Sequence, residues 1–108
     1  MSRAVLKGKG DITKISEFLI KDLQCDLVSK TRRKTDEGEI ILLVFEEYYF
    51  RMKSSKALTV LLSGGTDELI ADVVSAGGAI VDWGAGGKFV SKAVESLSQH
   101  GFYKIMDR

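Results

Sequence analysis

The stretch EIILLVFEEYYFRM, residues Glu39–Met52, decides how this chain folds. Side chains alternate across a β-strand, so its even and odd positions face opposite sides of a sheet. Both sets are strongly apolar, with Ile40, Leu42 and Val44 on one face and Ile41, Leu43 and Phe45 on the other. Neither face can be left fully in water. Helices can cover one face, but the sequence does not show what packs against the other.

The composition indicates one folded domain that needs no added group. The chain has 108 residues, of which 44% are hydrophobic and 29% charged, with a net charge of +1. A domain of this length buries roughly two thirds of its unfolded surface, so we expect no metal and no cofactor. The small net charge gives no reason to expect nucleic acid or an anionic membrane as a partner.

The N-terminal sequence and the single cysteine predict a cytoplasmic protein. The start, MSRAVLKGKGD, lacks the apolar core of a signal peptide, and no apolar run approaches the ~20 residues that span a bilayer. Cys25 is the only cysteine, which excludes an internal disulfide. A reducing compartment is the simplest setting for such a chain.

The segments around Glu39–Met52 predict two amphipathic helices and several further strands. Asp11 is a suitable N-cap for the first helix, and Gly101 follows the second where a C′ glycine belongs. The predicted helices are Ile12–Gln24 and Gly87–His100, and the predicted strands besides Glu39–Met52 are Arg3–Lys7, Leu27–Lys34, Ala57–Ser63 and Glu68–Ala76. The basic side chains of Leu27–Lys34 are typical of a solvated edge strand.

The order β-α-β-β-β-β-α predicts an α+β fold with two layers. We expect one domain over residues 1–108, with an antiparallel sheet of about five strands and both helices on one face. A ferredoxin-like arrangement is the main competitor, but it needs two strands between its helices. The tail, residues 102–108, is left as either an extra edge strand or an arm.

This order resembles the helix-grip or TATA-box-binding-protein-like architecture. The segments VFEEYYFRM, KALTVLLSG and ADVVSAGG also resemble a family of short uncharacterised Firmicutes proteins, a domain of unknown function, and this resemblance covers roughly Phe45–Leu97. The second resemblance implies a bacterial cytoplasmic origin and brings no catalytic residues. Relatives of the first bind small apolar ligands, bind DNA or do neither, so fold alone does not give function.

Five residues are the candidates for ligand binding. Tyr48, Tyr49 and Arg51 form the densest polar and aromatic group, although tyrosines at a strand end also serve ordinary cross-strand packing. Trp83 lies in a glycine-rich segment that would let its indole close over a ligand, or it plugs the end of the core. Lys88 follows three glycines at the start of a helix, which suits phosphate, although an ordinary flexible connection from strand to helix is the preferred interpretation.

The familiar catalytic and phosphate-binding patterns are absent. A P-loop requires Ser or Thr at position 89, where this chain has Phe89. His100 is the only histidine, and its place in the last turn of a helix suits the helix dipole. With one histidine and one cysteine, Cys25, neither a zinc site nor a Cys-His pair is indicated. We therefore predict no catalytic and no metal-ligating residue.

Three hypotheses for function follow, of which the first is preferred. The first is a non-enzymatic domain that forms a homodimer through the sheet face without helices; its candidate interface residues are Ile41, Leu43, Phe45, Thr59 and Leu61. The second is a binder of a small hydrophobic ligand, with a pocket between the sheet and the C-terminal helix. The third is an enzyme of unfamiliar chemistry. A tail folded back over the apolar face is the chief rival to the dimer.

Overall fold

The computed structural model describes residues 2–49, 54–65, 67–76 and 85–107. Within these ranges the chain forms five strands and two helices in the predicted order, followed by a sixth strand. The elements are β1 (Ser2–Gly8), α1 (Ile12–Leu23), β2 (Asp26–Thr35), β3 (Gly38–Tyr49), β4 (Ser54–Gly64), β5 (Leu69–Ala76), α2 (Ala85–Gln99) and β6 (Tyr103–Asp107). The end of the predicted strand at residues 50–52 lies outside the described residues.

The strands form one antiparallel sheet in the order β2-β3-β4-β5-β1-β6. Strands β2 to β5 are neighbours in sequence and in space, because only two to four residues separate consecutive strands. The predicted α+β fold with an antiparallel sheet is confirmed, with six strands instead of about five. The added strand is the tail: β6 pairs with β1 at the edge of the sheet.

Both helices lie on the same face of the sheet, and each has a local reason to start and stop. The Asp11 carboxylate accepts a hydrogen bond from the backbone N–H of Thr13 at 2.9 Å, which caps α1. Gln24 ends α1 with a left-handed backbone (φ 51°), and Gly101 follows α2 with φ 90°. The apolar stripes of the two helices are buried against the sheet at Ile12, Ile15, Leu19, Leu23, Phe89, Val90, Ala93 and Leu97.

The core lies between the helices and the odd-numbered positions of β3. Ile41, Leu43 and Phe45 are fully buried there, and they pair with Leu62, Val60 and Leu58 of β4. These three residues of β3 were expected at a dimer interface, and the structure places them under the helices instead. Both faces of β3 are apolar, so its own pattern could not decide which face the helices would cover.

Candidate functional site

The sheet face opposite the helices is the main candidate for a functional surface. We call it the open face; on β3, β4 and β5 it includes Ile40, Leu42, Val44, Ala57, Thr59, Leu61, Ser63, Ile70, Val74 and Ala76. Leu61 is 37% exposed, and the other nine are half-buried. Both described helices pack on the other face of the sheet. The open face is therefore an apolar surface in contact with water.

The register of the sheet gathers the apolar side chains of the open face into adjacent rows. Leu42 of β3 lies directly opposite Leu61 of β4. In the next row, Thr59 lies between Val44 and Val74. Neighbouring strands are about 4.8 Å apart and residues on one face are about 6.8 Å apart, so the whole sheet face, with six strands and four rows, spans about 24 Å by about 20 Å. The three central strands form its apolar part, and β1 and β2 add charged side chains beside it.

Charged side chains at the β1 side of the open face are already paired. The Arg3 guanidinium donates hydrogen bonds to both carboxylate oxygens of Asp72, at 3.1 and 2.8 Å. These hydrogen bonds raise the pKa of Arg3. Lys7 Nζ lies 3.1 Å from the Glu68 carboxylate, whose hydrogen bond raises the pKa of Lys7. This half of the surface therefore carries little uncompensated charge.

The structure brings two of the predicted interface residues to the open face and leaves three in the core. Thr59 and Leu61 lie on the open face, where the even-numbered residues Ile40, Leu42 and Val44 join them. The sequence did not identify Ile40, Leu42 and Val44 as the open-face residues of β3, although its apolar alternation includes them. Both faces of β3 are apolar, so only the position of the helices distinguishes one face from the other.

The predicted ligand-binding residues do not form one described site. Tyr48 is 54% exposed and shares the side of the open face, whereas Lys88 is exposed on α2 in the other layer. Arg51, Trp83 and the side chain of Tyr49 lie outside the described residues. The grouping of these five residues around a ligand remains a prediction.

A polar cluster joins the C-terminal parts of the two helices. The Ser96 hydroxyl donates a hydrogen bond to the Asp22 carboxylate at 2.7 Å, and His100 Nε2 lies 3.8 Å from the same carboxylate oxygen. The Phe18 ring stacks on the His100 ring with centroids 3.9 Å apart. The serine hydroxyl donates its hydrogen bond to the carboxylate and not to the imidazole, so the cluster lacks the order of a nucleophilic triad. It clamps α1 to α2.

The thiol and the carboxylates within the described ranges do not indicate a reactive centre. Burial is the main reason that the pKa of the Cys25 thiol is raised, and the Glu47 carboxylate adds to the effect. A raised pKa keeps the thiol protonated and poorly nucleophilic. The described part of the chain contains no group of three His, Cys, Asp or Glu residues that could hold a metal ion.

No helix among the described residues is long and apolar enough to cross a membrane. This finding does not identify a cellular compartment, so the cytoplasmic location that the sequence predicts stays a prediction.

Comparison with known proteins identifies a family. Residues 1–101 match a family of unknown function (DUF6054), and the chain belongs to that family. The match covers more of the chain than the sequence resemblance, which extends over roughly Phe45–Leu97. No curated protein and no solved structure matches the chain. The Firmicutes origin and the likeness to the helix-grip or TATA-box-binding-protein-like architecture stay predictions.

Proposed function

We propose that this chain, a member of the DUF6054 family of unknown function, is a self-associating domain that forms a homodimer through its open face. One observation carries the proposal: an apolar surface on three central strands lies on the side of the sheet away from both described helices. A second copy of the chain offers the same surface, and symmetric dimers are the commonest assemblies of soluble proteins.

The size of the open face suits a weak, reversible dimer. Its projected area is about 500 Å² per subunit, so a face-to-face pair buries at least about 1,000 Å², the lower limit for a specific interface. If about 600 Å² of this is apolar, its burial contributes about 15 kcal/mol at about 25 cal/mol per Å². Association itself costs about 4–15 kcal/mol, so we expect a dissociation constant in the micromolar range.

The two edges of the sheet are less suited to self-association than the open face. β2 is exposed along most of its length and carries Lys30, Arg32, Arg33 and Lys34, and such charges discourage edge-to-edge pairing. β6 has five residues, and its pairing with β1 shifts register between Val5 and Leu6. An irregular, short edge is a poor template for another strand. These features favour stacking through the face.

Two rival explanations have less support. A ligand pocket between α2 and the sheet would need space beside Val90 and Leu97, which are 6% and 1% exposed within the packed core. A covering tail would have to reach Leu42 and Leu61, whereas β6 lies at the sheet edge beside β1. Both observations favour a second copy as the cover.

Sedimentation equilibrium tests the proposal. From about 5 µM to about 500 µM, the mass should rise from 11.9 kDa towards twice that value, as a micromolar constant requires. Leu61→Glu should hold the chain at the monomer mass over the whole range. The matched control is Leu27→Glu, because Leu27 is 38% exposed but its partner in the sheet is the inward-facing Phe45.

The wild type and the control should therefore dimerise alike. A wild-type chain that stays at 11.9 kDa at the highest concentration would contradict the proposal. Equal loss of association in Leu61→Glu and Leu27→Glu would contradict it as well, because the surface would then not be the open face.

A further inference from the structure

Two carboxylates at one end of the open face have no ion-pair partner among the described residues. Asp26 of β2 lies directly opposite Glu46 of β3, and both side chains are exposed. Glu46 pairs onwards with Ala57, so this pair belongs to the open face. Side chains in directly opposite positions have Cβ atoms about 5 Å apart, where like charges repel. Among the described residues, neither carboxylate has an ion-pair partner.

At the other end of the same two strands, one arginine has no carboxylate partner among the described residues. Arg33 lies opposite Ile40 on the open face and is exposed. Its guanidinium donates a hydrogen bond to the backbone carbonyl of Arg32 at 2.9 Å and has no carboxylate partner within the described ranges. Arg32, on the other face, is paired with Glu39 at 2.6 Å. The open face thus carries acidic and basic charge at opposite ends.

We propose that the dimer has its two-fold axis across the strands, so that Arg33 of each subunit binds the carboxylates of Asp26 and Glu46 of its partner. This inference rests on the proposed self-association and adds its orientation. With the axis perpendicular to the strands, each strand of one subunit lies over the same strand of the partner, and the two copies run in opposite directions. The basic end of one subunit then lies over the acidic end of the other, and the contact occurs twice.

The apolar part of the surface fits the same axis. Ile40 and Glu46 are six residues apart, or about 20 Å along a strand, and their midpoint is Leu43. On the open face the axis therefore passes between Leu42 and Val44. Leu42 of one subunit therefore lies over the partner subunit's Val44, next to the axis. An apolar centre between two charged ends is the usual layout of a specific interface.

The distance between stacked sheets also suits an arginine. Packed sheets are about 10 Å apart, and their strands cross at about 30°. The long guanidinium side chain of Arg33 can bridge this distance and has enough donors for two carboxylates at once. A two-fold axis along the strands would instead leave Arg33 at the far end from the carboxylates of either subunit.

A charge-swap experiment tests this orientation by sedimentation equilibrium. Arg33→Glu should raise the dissociation constant of the dimer at least about tenfold, because the new glutamate meets two carboxylates across the interface, and Glu46→Arg should raise it less, because Asp26 still faces Arg33. The double variant Arg33→Glu/Glu46→Arg should bind more tightly than Arg33→Glu alone, since the new glutamate then meets the new arginine, and the unchanged Asp26 keeps this recovery partial. The matched control is Lys30→Glu, which changes the charge equally on the same strand.

Lys30 lies opposite the inward-facing Leu43, so its reversal should leave the dissociation constant unchanged. Arg33→Gln provides a second variant if the reversal does not fold, and it should weaken the dimer less than Arg33→Glu. A wild type that stays monomeric would overturn the self-association itself. A wild type that dimerises, with no effect of Arg33→Glu or no rescue in the double variant, would overturn only the orientation.

Discussion

Leu42 and Leu43 are consecutive residues of β3, and they belong to two different surfaces. Leu43 is fully buried opposite Val60, beneath the helices, whereas Leu42 is half-buried opposite the exposed Leu61. The side chains are chemically identical, so the difference lies only in what covers them. Two helices cover one face of the sheet, and the alternation of side chains then leaves the other apolar set in need of a partner.

The two faces also differ in the polar groups that they carry. The covered face is apolar at its centre, and its buried polar side chains, Lys56 and Ser75, lie near one end of β4 and β5. The open face mixes Thr59 and Ser63 with its leucines and valines, and it holds the ion pair of Arg3 with Asp72. A surface with such groups tolerates water when the chain is alone, which suits reversible association.

The largest expected difference between the faces is in stability. Leu43→Ala should lower the free energy of unfolding by about 2–5 kcal/mol, because it removes buried methyl groups and leaves a cavity. Leu42→Ala should lower it by less than about 1 kcal/mol in the monomer, because that side chain is already partly in water. Urea unfolding at a protein concentration far below the dissociation constant measures both. Equal losses for the two variants would contradict the assignment of the faces.

A second expected difference is in thiol reactivity. Cys25 should react slowly with an alkylating reagent at every protein concentration, because its raised pKa keeps it protonated. A cysteine placed on the open face by Thr59→Cys, in a Cys25→Ala background, should react faster in dilute solution and become protected as the dimer forms. Mass spectrometry at fixed times after mixing gives both rates. Protection of Cys25 alone on concentration would point to an interface on the helix side.

The raised pKa of Cys25 also fixes the sign of its effect on stability. When the pKa of a thiol is higher in the folded state than in the unfolded state, the thiol stabilises the folded protein at every pH below the unfolded-state pKa. This stabilisation is lost as the pH rises through the folded-state pKa. Cys25→Ala should therefore show a smaller loss of stability on the alkaline side than the wild type. A larger alkaline loss in the variant would show that the thiol is not desolvated.

The smallest expected effect comes from the β2–β3 hairpin, away from both central surfaces. The Arg32 guanidinium lowers the pKa of Glu39 through a hydrogen bond. A depressed pKa stabilises the folded state above the unfolded value and loses that effect as the pH falls through the folded one. The difference in melting temperature between wild type and Glu39→Gln should therefore shrink on acidification. A difference that grows towards low pH would contradict the ion pair.

The sequence predicted the elements of this fold well because each has a strong local cause. The N-cap at Asp11 and the apolar stripe after it define α1, and the short connections between β2 and β5 require antiparallel neighbours. The assignment of the faces could not be predicted, because it depends on where the helices pack and both faces of β3 are apolar. β6 is short and could equally have formed an arm.

The charge pattern of the open face depends on one irregularity that no local signal reveals. The register of β2 with β3 shifts between Leu27 and Ser29, at the exposed Val28. Without this shift, Asp26 would lie opposite the next residue of β3 and face the helix side. The extra residue turns Asp26 towards the open face, beside Glu46. A bulge of this kind follows from the packed sheet and not from a sequence pattern.

The most direct test of the central claim is a dilution series followed by methyl NMR. The account predicts concentration-dependent shifts for the methyl groups of Ile40, Leu42, Val44, Leu61, Ile70 and Val74. The methyl groups of Ile41, Leu43, Leu58, Val60 and Leu62, which alternate with them on the same strands, should shift far less. Shifts confined to the helices or to the edge strands, or no shifts up to millimolar concentration, would contradict the claim that the open face is the surface of self-association.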